Sequence, residues 1–315
     1  MPHDHGQDHD HPHDHGHDHG HHHPEADLGD RRVAAAILVN ILLTLVQIVA
    51  GVVSGSLALV ADAIHNLSDA LSLVIAFAAR RVARRGADRD MTFGYGRAEV
   101  VAALVNYVSL VVVALYLAAE GVQRLFAPQE VEGWIVVVVA AVALVIDTAT
   151  ALLVWRLSRD SMNLRAAFLH NVADALGSVA VIVGGTLILL YDWRLVDPIV
   201  TLGISGYILW HSYLGLKPAV KVLMLAAPDS PGVEPVLDAL CATPGVASVH
   251  HLHLWRMQEH EVALEAHVVL HADADAETVR RAIRDDLALT FGVEHSTLQM
   301  ELPGAACEGA PVIGH

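Results

Sequence analysis

Cysteine is nearly missing from this chain of 315 residues: Cys241 and Cys307 are the only two. That excludes a disulfide framework and any zinc site built from four cysteines, leaving each thiol at most a single soft metal ligand. Charge is sparse as well, at 17% of residues, and aromatic residues make up only 5%. With 54% hydrophobic residues, mostly Val, Ala, Leu and Ile, the composition is too oily for a soluble domain of this length and fits helices that face lipid. The formal net charge of −16 argues against a nucleic-acid partner, although much of the acidity sits at the two ends. A G-x-x-x-x-G-K-[ST] phosphate loop is missing, as is any Asp in a phosphorylation-loop context, so ATP is not the expected fuel. Neither H-E-x-x-H nor a nucleophile with its base occurs, and a catalytic zinc would need three ligands and an open water, so an enzyme is not expected.

What the chain does have is apolar runs. Six segments near the roughly 20 residues that cross a hydrocarbon core follow one another: "VAAAILVN" to "VAGVVSG", "SLALVADAIHNLSD" to "LSLVIAFAA", "EVVAALVNYVSLVVVALYLAA", "WIVVVVAAVALVIDTATALLVW", "AAFLHNVADALGSVAVIVGGTLILLY" and "PIVTLGISGYILWHSYLGL". An even count puts both ends on one side. Arg31 and Arg32, the arginines from Arg80 to Arg97, Arg156, Arg159, Arg165, Lys217 and Lys221 all fall in loops of one face, while the opposite loops offer only Arg124 and Arg194 among several carboxylates. Positive residues stay inside, so both termini are expected in the cytoplasm, with a multi-pass location in the cell (inner) membrane.

The first thirty residues alternate His with Asp and Gly and hold half of the 22 histidines. Lacking an apolar core, they are expected to be a disordered cytoplasmic tail and not a signal peptide. Such a tail either collects metal loosely, since imidazole and carboxylate both ligate divalent ions, or is only a solvated low-complexity segment. The expected organisation is this tail over 1–30, a six-helix transmembrane domain over 31–216, a cytoplasmic α+β domain over 217–302 and a C-terminal tail over 303–315. In the third of these, "SPGVEPVLDALCATPG" reads as a helix, "VASVHHLHLWRM" and "EVALEAHVVLHA" as a hairpin, "DAETVRRAIRDDLALTFG" as an amphipathic helix and "HSTLQMEL" as a strand. The order αββαβ predicts helices on one face of a small sheet, and strand alternation puts His251 and His253 on one face and His250 on the other.

Chemistry is carried by a repeated pattern. "HNLSDA" and "HNVADA" place His65 four residues before Asp69 and His170 four residues before Asp174, each inside an apolar span. A four-residue interval puts both side chains on one helix face, and ionisable groups in the bilayer cost several kcal/mol unless they serve a function or have a partner. If the two faces meet, two imidazoles and two carboxylates converge, matching the charge of a divalent cation and the tetrahedral shell of Zn2+. The plain alternative is that each His bonds its own Asp, or that the pairs glue neighbouring helices together. Asp147 is expected to bond a neighbouring helix or relay protons, Asp62 to line the pathway, Asn40 and Gln47 to make inter-helical bonds, and Asn66 and Asn171 to orient the adjacent His. His211, His260 and His271 read as surface or interfacial. Metal binds only deprotonated ligands and imidazole titrates near neutral pH, so protons and metal compete for the same groups. The pattern thus predicts a metal/proton antiporter.

The stretches "GSLALVADAIHNLSDA", "TFGYGRAEVVAALVN", "HNVADALGSVAV", "VHHLHLW" and "HSTLQMELP" closely resemble the cation diffusion facilitator family, its zinc-exporting branch in particular. The resemblance implies a homodimer with six spans per protomer, alternating access, a ferredoxin-like or metallochaperone-like cytoplasmic domain, and a transport site of His65, Asp69, His170 and Asp174. It further implies zinc in preference to cadmium, because the first ligand is His65 and not Asp, and cytoplasmic zinc sites at the positions of His250, His253, His267, His295 and Glu301, with Cys307 just beyond. Zn2+ is then substrate and regulatory ligand, with no cofactor, and the partners are H+, the lipid bilayer and a second copy of the chain. Export of cobalt, cadmium or nickel, or a membrane-anchored metal sensor or store without flux, are the alternatives. Manganese is disfavoured by the histidines.

Overall fold

A computed structural model describes residues 39, 41–157, 162–258, 261–304 and 309–314, the side chains of 73, 153–157 and 162–171 excepted. The His-rich tail, Asn40, His260 and Cys307 lie outside the described residues. Helix α1 covers Ile41–Ser54, followed by α2 (Leu57–Ala83), α3 (Ala98–Phe126), α4 (Gly133–Leu157), α5 (Met162–Tyr191) and α6 (Val196–Leu223). Among the described residues, five of these are long and apolar enough to cross a membrane, and the described part of α1 is a shorter apolar stretch. At 1.5 Å per residue, α3 is roughly 43 Å long, more than the roughly 30 Å of a hydrocarbon core.

The position of α2 at the centre follows from its composition. In its most apolar stretch 53% of residues are buried, against 22–28% in the other four long helices, whose valines and leucines point outward. Helix α2 carries Asp62, His65 and Asp69, which lipid would penalise, and it packs on α3, α5 and α6, while α4 packs chiefly on α5 and α3 on α6. The start of α2 is fixed by a buried knot of polar groups. Ser56 caps the helix by accepting from Leu59 N–H, and Asp197, in the first turn of α6, accepts from Ser56 Oγ at 2.6 Å, Leu57 N–H at 2.9 Å and Ala58 N–H at 3.3 Å. A carboxylate against an open helix N-terminus satisfies donors that have no partner within the helix. Arg124 closes the arrangement, donating to Gly55 C=O at 2.6 Å and to Glu120 at 3.1 Å, with Asp197 3.9 Å away. One end of α2, α3 and α6 is thereby tied together.

Helix α6 does not stop at Pro218 but continues to Leu223, past the boundary expected at 216. Proline forfeits one backbone bond, but Ala219 and Val222 beyond it are buried against Val100 of α3, so packing retains the last turn. The C-terminal domain then has α7 (Val233–Ala242), β1 (Val246–Arg256), β2 (Val262–Leu270), α8 (Ala276–Phe291) and β3 (His295–Glu301). Strands β1 and β2 form an antiparallel hairpin, and β3 returns parallel to β2 after the α8 crossover, giving the order β1-β2-β3. Val236 and Leu240 of α7 and Val279, Ile283 and Leu287 of α8 bury one sheet face through Val249, Leu252, Leu254, Leu264, Ala266 and Val268.

Simple alternation fails along β1. The core-facing residues are Val246, Val249, Leu252 and Leu254, so two intervals are three residues instead of two, the second of them spanning His250 and His251. A register shift between His250 and His253 and a left-handed His251, at φ 50°, show the cause: a bulge with one extra residue. His250 and His251 therefore turn to the same side of the sheet, which corrects the expectation that they face opposite ways. Nor is 309–314 a loose tail. It runs beside β1, with Leu252 and Ile313 in a parallel bridge, and covers an edge that would otherwise offer open hydrogen-bonding groups.

The α2–α3 loop rests on the C-terminal domain. Arg97 donates to Met257 C=O at 2.8 Å, Gln258 lies directly over Gly96 where a Cβ would stand, and the rings of Phe93 and His295 meet edge to face at 6.4 Å. Within the loop, Asp88 accepts from the Tyr95 hydroxyl at 2.7 Å and from the Asp90 and Met91 N–H groups, which holds its carboxyl below the usual range.

Replacing Asp197 by Ala leaves the Ser56 hydroxyl and two buried N–H groups without their acceptor. The detergent-solubilised variant is expected to unfold more easily than wild type by about 1–3 kcal/mol in a denaturant titration, with Asp197→Asn losing less.

Candidate metal centre

Where α2 and α5 cross, three of the four repeated ligands approach one another. His65 Nε2 lies 3.7 Å from Asp69 Oδ2, its neighbour one turn along α2, and 3.5 Å from Asp174 Oδ1 on α5. One ligand atom from each of the three falls within 4.8 Å of the others, close enough to share an ion. His65 and Asp174 are buried and Asp69 half-buried. His170 stands on α5 one turn before Asp174, and its side chain lies outside the described residues. The set of nitrogen and oxygen donors, two of them carboxylates, suits a divalent ion such as Zn2+ by both charge and ligand type.

A cavity of about 380 Å³ opens between α2, α5 and α6, lined by Asp62, His65, Asp174, Gly177, Gly203 and Tyr207 among others. Tyr207 of α6 meets the His65 ring edge to face at 5.8 Å and stacks on His211 at 6.2 Å. Neither Tyr207 nor a role for His211 beside it was legible in the sequence, because α6 has no repeated pattern that marks the face turned to the site. Asp62, one turn before His65, is in the field of Asp147, His65 and Asp174 and accepts from Gln47 Nε2 of α1 at 2.9 Å. Asp147 of α4 accepts from Ser178 Oγ of α5 at 3.2 Å. Gln47 and Asp147 thus make the inter-helical bonds their composition calls for, and Asp62 lines the cavity. Asn66 is buried next to His65, and the Asn171 side chain falls outside the described residues.

A second group forms on the open face of the C-terminal sheet. The bulge brings His250 and His251 toward His267, with ring centroids 4.9–5.2 Å apart and a ligand atom from each within 4.8 Å of the others. His250 and His267 sit opposite each other in the β1–β2 register. Buried Glu301 bridges them, 3.3 Å from His250 Nε2 and 2.8 Å from His267 Nδ1, and also accepts from Gln299 at 2.9 Å. His253 pairs with Glu265 across the strands and lines a different cavity, and His295 packs on Phe93, so neither joins this group. His251 enters in their place. The only sequence sign was the doublet His250-His251, which strand periodicity assigned to two faces.

Comparison with known proteins is consistent along the chain. The model of the cation efflux transmembrane domain matches residues 33–224, and that of the cation efflux protein cytoplasmic domain matches residues 228–303. The metal cation efflux system protein CzcD of Cupriavidus metallidurans is 36% identical over 270 residues, 85% of this chain and 85% of that protein. Zinc transporter ZitB of Pectobacterium atrosepticum is 35% identical over 274 residues, covering 86% and 85%. The cadmium, cobalt and zinc/H(+)-K(+) antiporter of Bacillus velezensis is 32% identical over 262 residues, covering 82% and 83%.

Gly177, one turn after Asp174, lets α5 approach α2, since a Cβ there would stand 3.1 Å from Asp62 Oδ1. Gly177→Ala is expected to be tolerated with a small shift, whereas Gly177→Leu is expected to cost about 1–3 kcal/mol of stability in the same denaturant titration.

Proposed function

The chain belongs to the cation efflux family, and on that premise we propose that this multi-pass membrane transporter exports Zn2+ from the cytoplasm in exchange for H+ by alternating access. The observation that carries the reading is the approach of His65, Asp69 and Asp174 beside a cavity among apolar helices, with His170 one turn before Asp174. Three or four such donors replace the water shell of the ion, and two carboxylates balance its charge in a medium that penalises net charge.

Exchange with protons follows from the ligands themselves. Imidazole changes charge near neutral pH, and both imidazole and carboxylate bind metal only when deprotonated. When the site faces the more acidic exterior, protons displace the ion. When it faces the cytoplasm, the ion displaces protons, and the two half-steps together move metal outward against protons moving in. The names of the relatives support the cargo, zinc in one and cadmium, cobalt and zinc with H+ and K+ in another. The distribution of Arg and Lys among the loops puts both termini in the cytoplasm, in the inner membrane of a bacterial host. His250 and His267 with Glu301 form the regulatory metal site of a cytoplasmic domain through which two protomers pair.

The broader name of the Bacillus relative favours a second reading in which cobalt and cadmium are also exported. A sensor or store without flux differs from both in binding metal but not moving it.

In proteoliposomes with an imposed pH gradient, wild type is expected to move Zn2+ against the proton flow, and dissipating the gradient should stop it. Asp174→Ala is expected to lose transport at least tenfold while retaining its fold. Unchanged transport in that variant, or zinc movement indifferent to the gradient, would overturn the mechanism. Competition by Co2+ and Cd2+ separates the two cargo readings.

A further inference from the structure

The last residues of the chain, beyond the 228–303 matched by the family's cytoplasmic-domain model, hold the bulge of β1 in place. His251 N–H donates to Pro311 C=O at 3.1 Å, Leu252 N–H to Val312 C=O at 3.0 Å, and Gly314 N–H to Leu252 C=O at 3.3 Å. Together these bonds grip His251 and Leu252, which fall within the second of the two register shifts of β1, and His251 is left-handed. A fourth contact reaches the side chain: His251 Nδ1 lies 3.1 Å from Gly314 C=O.

That contact decides the chemistry of the ring. A carbonyl oxygen only accepts, so Nδ1 must carry the proton, and in a neutral imidazole the lone pair then resides on Nε2. An imidazole held through one nitrogen by a carbonyl and ligating through the other is a recurrent arrangement at metal centres, where the carbonyl sets tautomer and ring direction. His251 has its ring centroid 5.2 Å from that of His250 and 4.9 Å from that of His267. We propose that the strap of residues 309–314 sets the geometry of a cytoplasmic zinc site in which His251 is a third imidazole ligand beside His250 and His267. The inference rests on the reading of this group as a metal site and adds to it a ligand and a positioning element that strand periodicity would place elsewhere.

The strap also explains why the bulge is worth keeping. Without it, regular alternation would carry His251 to the buried face and Leu252 to the open one, breaking both the core and the histidine group. A segment that binds only the bulged form stabilises the metal-binding arrangement before any ion arrives, and preorganisation of this kind raises affinity.

The test is hydrogen–deuterium exchange on the full-length protein in detergent across a series of buffered free Zn2+ concentrations, reading the peptides that cover 246–256 and 309–314. In wild type, zinc is expected to slow exchange in 246–256. A chain stopped after Ala310 is expected to need at least about tenfold more free Zn2+ for the same protection, the loss typical when a ligand's orienting partner is removed. His251→Asn keeps an N–H donor for Gly314 C=O but not the ligating nitrogen, so it should show the wild-type strap in metal-free protein together with the raised zinc requirement. His315→Ala controls for the terminal histidine and should match wild type. Should wild type respond to zinc while both the truncation and His251→Asn stay within twofold of it, the strap and the third ligand are ruled out and the site of His250, His267 and Glu301 stands. Should 246–256 in wild type not respond to zinc at all, the cytoplasmic site fails and the inference with it. Unchanged metal-free exchange in 262–270 certifies that the truncated domain is folded.

Discussion

A charged side chain inside a bilayer needs a partner, and this constraint organises the transmembrane half of the protein. Helix α2 carries three ionisable groups in a row of turns, Asp62, His65 and Asp69, and it is the most buried of the long apolar helices among the described residues. His65 is met by Asp174 of α5 and Asp62 by Gln47 of α1, while Asp69 is met by His65 of its own helix. Asp147 and Ser178 extend the same logic between α4 and α5. Outer faces remain free to be valine and leucine because the polar content is gathered on the inside.

The polar knot at the start of α2 serves a different end. Asp197 with Ser56, Leu57 and Ala58, closed by Arg124, ties three helices at a fixed point about two turns from Asp62. Buried charge networks of this sort set arrangement more than they add stability, because desolvation offsets much of the attraction. At the other end of α2 the loop to α3 rests on the C-terminal domain through Arg97, Gly96 and Phe93. The loop meets the turn of the hairpin formed by β1 and β2, the strands that supply His250, His251 and His267.

In the C-terminal domain the decisive feature is one extra residue. The bulge after Val249 keeps Leu252 and Leu254 in the core and frees two successive positions, His250 and His251, for the open face. An ordinary strand offers a given face only every second residue.

Much of the architecture was legible in the order of residues. The apolar runs, the doubled His-x-x-x-Asp interval and the αββαβ order all arise from local periodicity, which hydrophobicity and backbone geometry impose on any chain that folds. The pairing of His65 and Asp69 needed only one helix. What periodicity leaves open is every relation between elements: that Asp174 meets His65, that Tyr207 closes the same cavity, that Asp197 caps a helix 140 residues away. His251 is the clearest case, for its side of the sheet depends on a bulge held by residues up to 63 positions further on. Sequence alone determined the repeated His-x-x-x-Asp pattern and the histidine-rich strands. Only packing decided which of them meet, because contact across elements is set by the burial and hydrogen-bonding demands of the whole fold and not by the spacing within any one segment.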